Sequence, residues 1–161
     1  MSIDYSEDRL IQKSAAELME TELGWASVYA YDKEVLGENG TLGRNSFHEV
    51  LLIQQFRLAL KKLNPWINDK QIAEAIERMT ERMSSQTLMQ INEQKYQFIR
   101  DGIPVTRIKP DGTSEEIKAV VIDFENVDNN NFLCVRELWV YGALYRRRAD
   151  IVGFVNGIPL L

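Results

Sequence analysis

The sequence predicts an α+β fold in which helices come first and a mixed, mostly antiparallel sheet follows. Three observations predict it. Apolar residues recur at helical spacing up to about Arg100, and from Ile103 onward the period drops to two. Asp111-Gly112 and Asn156-Gly157 have the composition of tight hairpin turns, since both residues tolerate positive φ. Gly24 and Asn64-Pro65 stand where a helix would have to stop.

The elements follow in order. Ser6 is placed to cap a first helix through about Glu22, with Leu10, Ser14, Glu17-Leu18 and Thr21 along it and Gly24 as its stop. Trp25 to Tyr31 alternates aromatic and small residues and reads as a strand. Lys33 to Asn45 is a glycine-bearing loop. Phe47 to Leu63 reads as a helix, with Val50, Leu51, Phe56-Arg57 and Leu60 along its stripe. It ends at Asn64-Pro65, because the residue before a proline is driven out of the helical region. Further helices are expected from Asn68-Asp69 to about Met83 and from Thr87 to about Arg100. Strands are expected near 103–109, 115–124, 132–141, 144–155 and from 158 onward. There is no internal repeat, low-complexity tract or interdomain linker, so residues 1–161 read as one domain.

Composition narrows the function classes only a little. A chain of 161 residues buries roughly two-thirds of its unfolded surface. A net charge of −5 and a pI near 5.0 argue against wholesale coating of nucleic acid, while leaving room for a local basic patch. The single Cys134 permits no internal disulfide and fits a reducing cytosol. No run approaches the 18 or so apolar residues of a membrane span. The acidic, polar N-terminus is not a signal peptide, so a cytoplasmic protein is expected.

The most informative segment is Arg146-Arg147-Arg148-Ala149-Asp150 followed by Ile151 to Val155, Asn156-Gly157 and Ile158 to Leu161. Asp150 opens an apolar run, and a carboxylate there is costly unless a cation or hydrogen bonds compensate it. As an anonymous strand-start residue it reads first as structural. A two-residue turn at Asn156-Gly157 pairs Val155 with Ile158, so position 163 would stand opposite Asp150, just past the last residue.

Blocks in a set order lead up to that segment. They are Ser6-Glu7-Asp8, Glu22-Leu23-Gly24-Trp25, Gly40-Thr41-Leu42-Gly43-Arg44, Glu49-Val50-Leu51-Leu52 and Leu63-Asn64-Pro65. Then come Asp101-Gly102-Ile103-Pro104-Val105, Val121-Ile122-Asp123-Phe124, Asn129-Asn130-Asn131-Phe132-Leu133 and Asp150 to Leu160. In this order the chain resembles the N-terminal nuclease domain of the motor (R) subunit of type I restriction enzymes.

That resemblance implies a restriction-endonuclease-like core with an Asp on one strand and a Glu-x-Lys on the next. The two acids hold Mg²⁺, and the Lys positions or deprotonates the attacking water. Asp150 matches the Asp and is the expected catalytic and metal-binding residue. The Glu-x-Lys is not in this chain, so the domain is expected to be incomplete at its C-terminal end and inactive alone. The resemblance further implies a type I site-specific deoxyribonuclease that joins specificity and modification (methyltransferase) subunits and translocates DNA with ATP. No helicase signature occurs here, so ATP would be bound by motor domains outside this chain. Two departures bear on activity: Ala149 stands where the family usually has Pro, and Gln12 where many members carry a Glu near the metal. Glu7 and Glu17 flank Gln12 by about a turn and read as solvated or capping carboxylates.

Other polar residues have competing readings. Arg146, Arg147 and Arg148 suit DNA phosphates, with at most two on one strand face; a charged edge that resists aggregation is the alternative. Gly37, Gly40 and Gly43 fit neither a P-loop nor a dinucleotide fingerprint, leaving a mobile loop that touches DNA through Arg44. His48 is the only histidine and Cys134 the only cysteine, so no zinc site or Ser-His-Asp set is read here, and His48 beside Glu49 suggests a surface helix start. Asp123, Asn126 and Asn129 to Asn131 read as a self-capping turn. Trp25, Trp66 and Trp139 read as core or interface anchors. The functional alternative is a non-catalytic protein-interaction or DNA-docking module from a truncated gene.

Overall fold

A computed structural model describes residues 11–81 and 85–160, with only the backbone of Asp32. Ser6, Glu7, Leu10 and Met83 lie outside the described residues, as does the expected cap of the first helix. The element order is α1 (Lys13–Leu23), β1 (Ala26–Tyr29), α2 (Ile53–Leu63), α3 (Asp69–Thr80), α4 (Leu88–Asp101), β2 (Ile103–Ile108), β3 (Ser114–Ala119), β4 (Phe132–Tyr141), β5 (Arg146–Val155) and β6 (Ile158–Pro159). The α+β class is as the sequence predicts. The chain divides into two compact units, residues 1–54 with 131–161 and residues 55–130.

The first unit is built on a four-stranded mixed sheet in the order β1-β4-β5-β6. β1 runs parallel to β4, whereas β4, β5 and β6 are antiparallel neighbours. Asn156 and Gly157 both take positive φ, 53° and 81°, and close the β5–β6 hairpin with Val155 opposite Ile158. This is the register expected of an Asn-Gly turn. Asn156 is itself buried: its N–H donates to Asn131 O and its Oδ1 accepts from Asn131 N, both at 2.8 Å. Gly24 ends α1 in the left-handed region at φ 68°, and Trp25 N donates to Met19 O over 3.0 Å. The core gathers Ala30, Leu42, Leu52, Leu133, Val135, Leu138, Val152 and Phe154. Each large apolar side chain among them contributes roughly 1.5–3 kcal/mol by leaving water.

One helix starts later than its pattern suggests. Phe47 to Leu52 are not helical, because backbone groups at both ends are bonded to β4 and to the β5–β6 turn. Phe47 O accepts from Tyr141 N at 2.9 Å, and Leu52 N donates to Gly157 O at 2.9 Å. A peptide group bonded outward is lost to the helical ladder.

In the second unit, β2 and β3 form a hairpin closed by Asp111-Gly112, where Asp111 Oδ1 accepts from Thr113 N at 2.9 Å. α3 and α4 both open with capping boxes, Asn68 with Gln71 and Thr87 with Gln90. Glu74 of α3 accepts from Thr106 N at 2.8 Å and from Arg78 at 2.9 Å, which ties the helix to β2. Burial raises the Glu74 carboxyl pKa, but these donors outweigh it and hold the carboxyl below its usual range.

The strand expected over 115–124 stops at Ala119. Asn64 takes over there: its Nδ2 donates to Val120 O at 2.7 Å and its Oδ1 accepts from Val120 N at 2.8 Å. One buried amide thus replaces a neighbouring strand. Beyond it, Asp123 Oδ1 accepts from Glu125 N and Asn126 N, the self-capping turn that its composition indicated.

Candidate functional site

Asp150 lies on β5 and is exposed to solvent. Strict alternation would have buried it. Val152 and Phe154 point into the core, so position 150 belongs to the same face by parity, and so does Glu137 by parity with Leu133 and Val135. Both strands change their inward face here instead. Leu138 fills the core and Ala149 packs against it, out of step with the residues further along. The change occurs at Glu137, whose φ of 58° is left-handed. In register Glu137 stands opposite Asp150, between the pairs Arg136–Ile151 and Leu138–Ala149. A left-handed conformation costs a non-glycine residue roughly 1–2 kcal/mol. That strain turns a carboxylate that would have entered the core out into solvent.

Glu137 is buried, and its charge is balanced by Arg148. Arg148 Nε stands 2.5 Å from Glu137 Oε2, an ion-pair contact off the line of a hydrogen bond. The guanidinium lies 4.9 Å from the ring of Tyr31 and 5.7 Å from that of Trp139. Arg148 is therefore engaged by protein on three sides. Arg146 lies over Trp139 and Arg147 over Tyr145, and both are exposed. The three arginines split between the two faces of the strand, as alternation requires.

Arg44 departs from its expected place. Its side chain is fully buried, with Nε and Nη2 on the carboxylate of Glu34 at 2.5 and 2.7 Å. Nη1 donates to Glu49 O at 3.1 Å and Nη2 to Trp139 O at 2.7 Å. The loop that it was expected to carry to DNA is pinned to β4 by this arginine. Four of its N–H donors are taken by protein, and the buried guanidinium is out of reach of a phosphate. His48 is exposed beside the same strand, with Nδ1 2.7 Å from Tyr141 O.

Gln12, at the N-terminal end of α1, is buried, and its Oε1 has no hydrogen-bond partner among the described residues. An orphan acceptor of this kind costs about 1–3 kcal/mol until a donor or a cation reaches it. For Mg²⁺, Asp150 offers an exposed carboxylate with no cation on it among the described residues, while the carboxylate opposite is taken by Arg148. Among the described residues no three His, Cys, Asp or Glu side chains converge as a metal site. The residues present supply part of a Mg²⁺ site and do not complete one.

The family model for the N terminus of the type I restriction enzyme R protein matches residues 4–161. The chain belongs to that family. Among curated relatives, it is 30% identical over 141 residues to the endonuclease subunit of the type I restriction enzyme HindI of Haemophilus influenzae, covering 86% of this chain and 13% of that subunit. It is 26% identical over 158 residues to a Methanocaldococcus jannaschii chain assigned to type I restriction enzyme MjaIXP as its endonuclease subunit, covering 96% of this chain and 14% of the relative. The chain thus spans about one seventh of the length of these relatives. In this R-protein family member no described helix is long and apolar enough to cross a membrane.

Two features of the site escaped sequence reasoning. Glu137 is one; its signal was the adjacent charges Arg136-Glu137 inside an otherwise apolar ten-residue strand. The other is the burial of Glu34 with Arg44, for which the sequence carries no local sign. A separate cleft of about 340 Å³ in the second unit is lined by Glu74, Glu77, Arg78, Glu81, Gln94 and Phe98. Its acidic lining repels phosphate.

Proposed function

We propose that this chain is the nuclease region of a type I R subunit, which cleaves unmodified DNA by Mg²⁺-dependent phosphodiester hydrolysis in the cytoplasm. In the intact enzyme, specificity and modification subunits choose the site, and motor domains outside this chain move DNA with ATP. Asp150 is the first metal ligand. The observation that carries this reading is the exposure of Asp150 on a strand whose hairpin partner returns toward it in the Val155–Ile158 register. In a longer chain the same register brings position 163 opposite Asp150, where an acidic residue would share its metal, directly or one step away through a bulge. Bound Mg²⁺ would polarise the scissile phosphate and lower the pKa of a water. Asp150 itself holds and orients the cation.

The isolated chain leaves DNA uncut on this reading, since Asp150 alone cannot retain a catalytic Mg²⁺. Supercoiled plasmid incubated with the purified chain and Mg²⁺ should stay intact. In the intact R subunit with its partner subunits, Asp150→Asn should abolish cleavage and leave ATP hydrolysis largely unchanged. The swap is nearly isosteric and at an exposed position, so folding is not at stake. Cleavage that persists in Asp150→Asn would move the nuclease site elsewhere.

A further inference from the structure

β4 and β5 are each ten residues long, yet their neighbours flank only one end of them. β1 pairs with β4 from Leu133 to Arg136, and β6 pairs with β5 at Phe154 and Val155. From Leu138–Ala149 to Tyr141–Arg146 the hairpin continues with Leu138, Val140 and Ala149 packed on the core, and its tip, residues 142–147, projects into solvent, closed by a turn in which Gly142 N donates to Tyr145 O at 2.8 Å. One edge is stiffened by the loop at 44–48, through Arg44 to Trp139 O and Tyr141 N to Phe47 O.

The ribbon is chemically unlike the rest of the chain. Residues 138–149 hold three arginines and no acid, within a sequence of net charge −5. At its tip Leu144 is 85% exposed and Tyr145 71%. Arginines that only blunted an edge against aggregation would not need an exposed apolar tip beside them. Arg146 and Arg147 are also pre-oriented by stacking on Trp139 and Tyr145, which lowers the entropy lost when their forks meet an anion. They lie on opposite faces of the ribbon, Arg147 paired with Val140 and Arg146 above Trp139. Arg148 is held back by Glu137.

We infer that the exposed tip of this ribbon enters the major groove of duplex DNA, with Arg146 and Arg147 on phosphates of opposite walls and Leu144-Tyr145 against base edges. A major groove about 12 Å wide admits a two-stranded β-ribbon, and its two walls are both lined with phosphate. Apolar side chains find the thymine methyl groups on its floor. The inference shares with the nuclease reading only the premise that DNA is the ligand.

The test is fluorescence anisotropy of a labelled 30-base-pair duplex with the whole chain, titrated across salt. Arg146→Ala and Arg147→Ala should each flatten the slope of log K against log salt by about 0.9. Leu144→Ser with Tyr145→Phe, which keeps the ring under Arg147, should weaken binding by roughly tenfold, the scale of a lost base-edge contact, at an unchanged slope. All four positions are exposed, and circular dichroism should show unchanged melting. The inference is overturned if duplex binding is absent at low salt, if a single strand or heparin is preferred over duplex, or if the tip variants bind like the parent. Cleavage in the intact enzyme that survives Asp150→Asn, with these binding effects present, would sink the nuclease reading and leave the ribbon standing. Asp150-dependent cleavage with unchanged Arg146→Ala and Arg147→Ala slopes would do the reverse.

Discussion

Arg44→Ala should unfold this protein more readily and leave the salt slope of DNA binding by the folded molecule unchanged. The magnitude follows from the site. The Arg44 and Glu34 side chains are 0% and 2% exposed, and the guanidinium also satisfies the carbonyls of Glu49 and Trp139. Truncation leaves the Glu34 carboxylate buried with no cation and two carbonyls without their donor. Breaking a buried pair from one side costs about 3–5 kcal/mol. For a chain of this size each kcal/mol moves the melting point by about 2–4 °C, so a drop on the order of 10 °C is expected. Urea unfolding followed by tryptophan fluorescence measures the free energy directly. The double variant Arg44→Met with Glu34→Leu should recover most of the loss, because replacing both charges removes the stranded carboxylate. Arg44→Ala that costs under about 1 kcal/mol while flattening the salt slope of duplex binding would refute this reasoning, since an exposed arginine on a phosphate behaves in that way.

Asn64→Leu should cost roughly 2–4 kcal/mol in urea unfolding, because it strands the N–H and C=O of Val120 that the Asn64 amide now satisfies at 2.8 and 2.7 Å; a cost below about 1 kcal/mol would show that another group closes the end of β3. Glu74 has its carboxyl held below the ordinary 4.5, so its stabilisation is present above that pH and is lost as pH falls through the lower folded value. The stability gap between the parent and Glu74→Gln should therefore be flat from pH 7 to about 5 and close below about 4; a gap that widened in acid would reverse the sign assigned to this carboxyl.

Local chemistry made much of this protein legible from its sequence. The Asn156-Gly157 turn pinned the register of β5 and β6, because a left-handed Asn-Gly pair closes a two-residue hairpin in step with the twist of its strands, and the same pairing singled out Asp150. Gly24, Asn68 and Thr87 marked helix ends through groups within a few residues of themselves. Tertiary structure decided what depended on distant partners. Phe47 to Leu52 have a helical pattern, yet hydrogen bonds to Tyr141 and Gly157 claim their backbone. Arg44 has the look of a loop cation, yet Glu34 and the carbonyl of Trp139 draw it inside. Alternation along β4 and β5 would have sent Asp150 toward the core, and the left-handed turn at Glu137 sends it to solvent. The reason is common to all three. Turn and cap preferences are energies of a few adjacent residues, whereas the fate of a buried charge or a spare peptide group depends on which group, distant in sequence, is there to satisfy it.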